Sequence, residues 1–471
     1  MSYIGNYLKD YASQRPNALA LLFEGGAVTN AALFETVEKV AAGLSQKGIR
    51  GQRVGICNPD PFQFCVAFLG VIRSGNTAVV LDPEWPKERL EKLRLAANCA
   101  ETIDSQRYDE LIASGEASPR VDLVPDESDA FYIGFTSGST GEPKGYCRNH
   151  LSWLKSFEVS STVFGVGEGD CVAVPGPVAH SHHLYGALHA LHSGASLIMA
   201  AKFQPKAFIR AMESGGATVL YGTPTQLNVL ARAAKTPLLK VTKIISSGAK
   251  WLEDNEVHLK TAFPNAKVLE VYGASELSFV AVTNPVEQAP IGSVGRPVPQ
   301  LSLEIRDGDG NEVPSGVSGR IWVNSPLVMS GYVAAGSADF VRDGDFVSIG
   351  DHGYFDENGF LFVSGRENRM IITSGLNIYP EEIERVLLSL DGVTNAAVFG
   401  EFHELRGQTV LAILQAEGAG GTDEFARQMR DKAGAARSPK RYILHKGEWP
   451  LTRSGKTDLV ALQNQYAIRI K

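Results

Sequence analysis

The segment Thr136-Ser137-Gly138-Ser139-Thr140-Gly141-Glu142-Pro143-Lys144-Gly145 holds the residue types with the clearest chemical use. Its three glycines let main-chain N–H groups approach an anion closely, its four hydroxyls add donors, and Lys144 adds a cation. The run Ala130–Phe135 before it reads as a strand, and Pro-Lys-Gly gives the loop a defined shape. The spacing does not fit a Walker loop, which needs Gly-x-x-x-x-Gly-Lys-Ser/Thr. The loop is therefore predicted to cradle a polyphosphate. Three histidines, His180, His182 and His183, crowd a second segment. With no second ligand cluster they do not make a metal site, and they read as a polar loop beside a pocket, one histidine working and the others solvated. A third candidate is Lys456, next to Gly455 near the C-terminus. In isolation, such a lysine would be a solvated surface residue.

Elements must position these groups. In the first 125 residues helical and strand patterns alternate: a helix over 31–43, a strand over 53–57, an apolar helix over 61–74 and a strand over 77–81. Strand–helix alternation predicts a parallel sheet with helices on its faces. The pattern resumes with strands over 170–174, 196–200, 218–221, 243–246 and 267–272 and helices over 184–191, 203–214 and 225–234. Between about 285 and 365 helical patterns vanish. Short strands there, separated by Gly, Asp, Asn and Pro, predict a small antiparallel sheet or barrel-like section. Beyond the charged run at 365–369, Pro380-Glu381-Glu382 suits a helix start. Strands over 396–399, 410–415 and 441–445 and a helix over 423–433 then predict a separate α+β domain. The fold class expected is α/β: a large N-terminal domain, 1–365, of layered α/β units plus the β section, and a smaller mobile domain, 366–471. A chain of 471 residues is long enough for two or three domains.

The net charge of −7 and the lack of a basic stripe give no reason to expect nucleic acid. Five scattered cysteines, Cys57, Cys65, Cys99, Cys147 and Cys171, show neither zinc nor disulfide spacing. Each reads as a small buried hydrophobe, and a reducing cytoplasm is the expected location. No apolar run is long enough to span a bilayer.

The stretch Phe135-Thr-Ser-Gly-Ser-Thr-Gly-Glu-Pro-Lys-Gly145 resembles the signature loop of the adenylate-forming superfamily of acyl- and aryl-CoA ligases, peptide-synthetase adenylation domains and beetle luciferases. Further segments resemble the family in the right order, from about residue 130 to 458. Ser247-Gly248-Ala249 is similar to the turn lying against adenine. Val271-Tyr272-Gly273-Ala274-Ser275-Glu276 resembles the Tyr-Gly-x-Thr-Glu segment, which implies that Tyr272 stacks on adenine and Glu276 ligates Mg²⁺. Ser348-Ile349-Gly350-Asp351 resembles Thr-Gly-Asp, implying that Asp351 accepts from both ribose hydroxyls. Residues 365–384 resemble the interdomain hinge, with Arg366 near ribose or phosphate and Asn368 where the family has Asp or Lys. Residues 450–458 resemble the segment of the catalytic lysine, Lys456, whose ammonium would offset the repulsion between carboxylate and α-phosphate.

The implied function is ATP-dependent conversion of a carboxylic acid to an acyl-adenylate, followed by thioester formation, with ATP, Mg²⁺ and coenzyme A as cofactors. His183 matches the histidine that closes the carboxylate site. Ala179 stands where amino-acid-activating domains carry an aspartate, which disfavours an amino acid, and the polar histidines lean toward an aryl or short polar acid over a long chain. Arg406 replaces the family's tryptophan near the CoA nucleotide, where it could stack on a base or pair with a phosphate. A carrier-protein phosphopantetheine is the alternative acceptor, and a non-catalytic nucleotide-binding protein the second alternative. A monomer or homodimer is expected.

Overall fold

The computed structural model describes residues 3–116, 118, 121–136, 144–248, 253–334, 340–373, 376–403, 407–417, 421–452 and 455–468. The described residues form four sheets. One has six strands, ordered Gly331–Ala334, Lys144–Asn149, Ala130–Thr136, Thr77–Val80, Arg53–Ile56 and Cys99–Ile103. Its last four strands run parallel, and Lys144–Asn149 runs antiparallel to Ala130–Thr136. A nine-stranded sheet has a parallel centre made of Ser196–Met199, Cys171–Val174, Val219–Gly222, Lys243–Ser247 and Lys267–Ala274. Cys171–Val174 and Val219–Gly222, in the middle of this sheet, are buried at every position, which is why they read as apolar strands.

Helices fill the space between the two sheets. Asp60 caps Pro61–Arg73 by accepting from Gln63 N at 2.8 Å, with Pro61 in the first turn. Asn149 caps His150–Phe164, and Gly165, at φ 60°, ends it. One core joins both sheets through Phe68, Phe131, Trp153, Phe157, Tyr185 and Tyr221. The barrel-like section is a six-stranded antiparallel sheet drawn from residues 302–366, with its own core around Ile305, Ile321, Val347 and Leu361. All strands of the fourth sheet come from residues 371–444, and helices Pro380–Leu388, Thr422–Ala433 and Leu459–Gln465 accompany it. No helix among the described residues is long and apolar enough to cross a membrane.

Two expectations need correction. The histidine-rich segment is not a solvated loop: Ser181–His192 is a helix that His180 immediately precedes, and His180 and His182, expected to be solvated, are half-buried, with burial lowering the pKa of each. Apolar positions 184, 187, 188 and 191 share one helical face, and Ser181, His182 and His183 form the turn before them. The cysteines are not uniformly buried either, since Cys57 and Cys147 are half-buried.

Candidate active site

A cavity of about 650 Å³ opens where the three larger sheets meet the C-terminal loop. Thr136, Lys144, Gly248, Tyr272, Gly273, Ser275, Glu276, Asp351, Arg366, His183 and Lys456 all line it. Ser137, Gly138, Ser139, Thr140 and Gly141 of the phosphate loop, together with Ala249 and Arg406, lie outside the described residues. Their anchor is nonetheless visible. Thr136 ends one strand and Lys144 begins the next, and the two are register partners. The loop's two ends are thus pinned at the cavity's edge.

Strand Lys267–Ala274 carries Tyr272 to the opposite wall. Its hydroxyl donates to Asp351 Oδ2 at 2.6 Å, and Arg366 Nε donates to Asp351 Oδ1 at 2.9 Å. Asp351 begins strand Asp351–Phe355 and Arg366 ends the paired strand Leu361–Arg366, so antiparallel register alone sets them side by side. The carboxylate holds the guanidinium firmly protonated, and burial pushes the Tyr272 phenol well up. Gly273 admits no side chain: a methyl there would lie 2.0 Å from Ser278 O.

Glu276 is 9% exposed, and one carboxylate oxygen accepts from Tyr332 Oη at 2.9 Å. No bonded cation faces it among the described residues, so a hard oxygen donor stays available at the cavity wall, which fits a divalent ion such as Mg²⁺. Arg148 supports this turn from behind. It is 1% exposed, and its partners among the described residues are main-chain oxygens: Nε and Nη2 donate to Ser275 O at 3.2 and 2.6 Å, and Nη1 donates to Leu327 O. Burial pulls its guanidinium down to about 10. Tyr332 and Arg148 were missed in the sequence. The only available signal was a lone arginine in an otherwise apolar strand pattern, Gly145-Tyr146-Cys147-Arg148.

On the acid side, Ser181 Oγ and Ser275 Oγ are 2.9 Å apart. His183 Nδ1 faces Pro177 O at 3.2 Å and Nε2 faces Gln226 Oε1 at 3.1 Å. Burial, then the neighbouring His182 and His180, lower its pKa to about 3, so it is neutral at ordinary pH. Trp153, Tyr185 and Phe279 close the apolar end in edge-to-face contacts of 4.8–5.1 Å. Lys456 reaches the cavity against Gly248, where an added methyl would meet its Cε at 3.0 Å. The residue keeps solvent-exposed surface, yet its ammonium is crowded. Desolvation and the Arg366 charge lower its pKa, while Glu276 opposes them.

The sequence model of the AMP-binding enzyme family matches residues 8–333, and that of the AMP-binding enzyme C-terminal domain matches 382–456. The chain belongs to the AMP-binding enzyme family. YhfT of Bacillus subtilis, an uncharacterized acyl-CoA ligase, is 35% identical over 94% of each chain. The 2-succinylbenzoate–CoA ligase of Bacillus cereus is 28% identical, again over 94% of each. Among solved structures, ATP-bound MatB from Rhodopseudomonas palustris superposes with a TM-score of 0.86, at 25% identity, over 98% of this chain and 99% of that one. The AMP-binding enzyme fold therefore accounts for the whole chain, C-terminal part included.

Proposed function

We propose that the protein is an AMP-forming acid–thiol ligase that activates a small aryl or short polar carboxylic acid and passes it to coenzyme A. The observation that carries this reading is the convergence of Lys144, Glu276, Asp351, Arg366 and Lys456 on one cavity from four separate parts of the chain. A protein that only binds a nucleotide has no need of a third cation, Lys456, delivered by a C-terminal loop.

The roles follow from chemistry and position. Asp351 accepts from the ribose hydroxyls, with Arg366 and Tyr272 holding its carboxylate in place. Tyr272 presents its ring to adenine in the cavity that Gly248 also lines. Thr136, Lys144 and residues 137–141 hold the phosphates. Glu276 would hold Mg²⁺, which supplies charge neutralisation between the phosphate oxygens. Lys456 stabilises the charge that builds as the carboxylate attacks the α-phosphate. Neutral His183 adds no charge to the acid site, and the aromatic end wall of Trp153, Tyr185 and Phe279 suits a ring or a short chain.

The same site must then admit a thiol, so the C-terminal part must move. Glu367 is tied to the large part, through its N–H to Gly350 O at 2.8 Å and its carboxylate to Arg320 at 2.6 Å. Arg369 is tied to the small part, through Glu381 and Glu384, each at 2.7 Å. Asn368 lies between these anchors, which favours a pivot there and a domain boundary near 366.

Acid-dependent ATP–pyrophosphate exchange, screened over aryl, short-chain and long-chain acids, tests the reading. Exchange with at least one aryl or short acid is expected, and Lys456→Ala should lower it by about 10²-fold or more. Silence across the whole panel would refute it. Product analysis with free coenzyme A separates that acceptor from a carrier-bound thiol.

A further inference from the structure

Helix Pro224–Ala233 starts with a capping box: Gln226 N donates to Thr223 Oγ1 at 3.4 Å, and Thr223 N donates to Gln226 Oε1 at 3.1 Å. Such boxes ordinarily satisfy a helix end at the surface. Here both side chains are buried, and Gln226 Oε1 has a further neighbour, His183 Nε2 at 3.1 Å. On its other side the same turn meets the C-terminal loop. Gly455, with φ of 78°, packs so closely that a methyl there would lie 3.1 Å from Thr223 Oγ1, 3.6 Å from Thr225 Cβ and 3.8 Å from Gln226 Cγ. The next residue is Lys456. One turn of helix thus touches both the histidine of the acid pocket and the loop that carries the lysine.

We propose that Gln226 is a positioning residue for the adenylation step, fixing the imidazole of His183 and supporting Gly455–Lys456 in the docked position. The hydrogen bonds favour this role over simple capping. A neutral imidazole donates from one nitrogen only, yet His183 faces two acceptor oxygens. The Thr223 N–H fixes which end of the Gln226 amide points inward, so the amide cannot turn to offer a donor without breaking the cap. Gln226 therefore links the setting of His183 to the shape of the seat under Gly455. That seat matters only while Lys456 is docked, so the residue should serve acid adenylation and not the transfer to thiol.

This inference rests on the ligase reading above, and the test keeps the two apart. Wild type, Gln226→Ala and Gln226→Met are compared in ATP–pyrophosphate exchange and, separately, in thioester formation from the preformed acyl-adenylate of whichever acid supports exchange. Thermal unfolding is followed alongside. Gln226→Met keeps an unbranched chain of similar length beneath Gly455 and loses the amide oxygen and nitrogen, so it carries the test should the alanine variant fail to fold. A fall in exchange kcat of at least about tenfold is expected for Gln226→Ala, with a smaller fall for Gln226→Met and transfer to thiol within about twofold of wild type. Unchanged exchange, or equal losses in both steps, overturns the proposal and leaves the ligase reading standing. Absence of exchange in the wild type refutes the ligase reading itself.

Discussion

Arg148 is the residue whose environment departs furthest from what its type suggests. A guanidinium is seldom fully buried without a carboxylate, yet here its donors go to two main-chain oxygens, those of Ser275 and Leu327. These oxygens belong to the turn that presents Glu276 and to the segment just before Tyr332, so one side chain joins the two stretches that define the candidate metal position. Arg148→Ala would leave both acceptors buried without donors, at about 1–3 kcal/mol each, besides opening a cavity. A loss of roughly 2–5 kcal/mol of unfolding free energy is expected, measured as a lower denaturant midpoint at unchanged slope. Arg148→Lys cannot span both oxygens with one ammonium and should recover only part of the loss. A lone arginine in an apolar strand pattern was the only mark the sequence gave this residue, because its partners are main-chain atoms some 130 and 180 positions away. Thr136, Lys144, Glu276, Asp351 and Lys456, by contrast, were legible because each sits in a local string of glycines and polar residues.

Elements carry the next level of organisation. Apolar periodicity located the central parallel strands to within a residue or two, since strands buried on both faces are apolar at every position. It missed two antiparallel strands at one end of the six-stranded sheet, Lys144–Asn149 and, at the edge itself, Gly331–Ala334. Both runs mix polar and apolar residues without a clean period, and Lys144–Asn149 is placed by its antiparallel pairing with Ala130–Thr136. The segment 367–369 was legible only as a break in the apolar flow, and its anchors explain what that break does. Glu367 faces back to Arg320, and Arg369 faces forward to Glu381 and Glu384. Asn368→Pro should stiffen the short link, because proline fixes its own φ near −65° and restricts the backbone of the preceding Glu367, while the side chains of both anchors are kept. Exchange should survive this change within about twofold, whereas thioester formation should fall by about tenfold, since only the second step needs the small part to swing. Single-turnover measurements of each step check this directly, and equal effects on both would argue against a pivot at Asn368.

At the scale of the whole molecule, buried imidazoles set how the protein answers to acid. His150, His183 and His189 are each at most 1% exposed, and burial brings all three down to about 3. His182 and His192 are half-buried and lowered to about 4. Most of the five are also tied up in their neutral form. His150 Nδ1 accepts the N–H of Ile4, which links the N-terminus to helix His150–Phe164, and His189 Nδ1 lies 3.2 Å from Tyr221 Oη. The sign follows from comparing proton uptake in the two states. Above pH 6.5 neither folded nor unfolded imidazoles bind protons, and stability is flat. As pH falls below 6.5 the unfolded chain takes up protons that the folded chain refuses, so stability drops until the folded pKa values near 3–4 are reached. Each fully buried histidine contributes about 1.4 kcal/mol per pH unit in that window, so the three together give roughly 4 kcal/mol per unit, and His182 and His192 act in the same direction. Against a total stability on the order of 5–15 kcal/mol, that slope is enough to unfold the protein at mildly acidic pH. A series of thermal or urea unfolding curves from pH 8 to pH 4.5 should show a plateau above about 6.5 and a steep fall below it. His189→Gln, which removes one of these groups away from the acid pocket, should make the fall shallower by about 1.4 kcal/mol per pH unit. A flat profile through pH 5 would mean that these imidazoles protonate inside the fold.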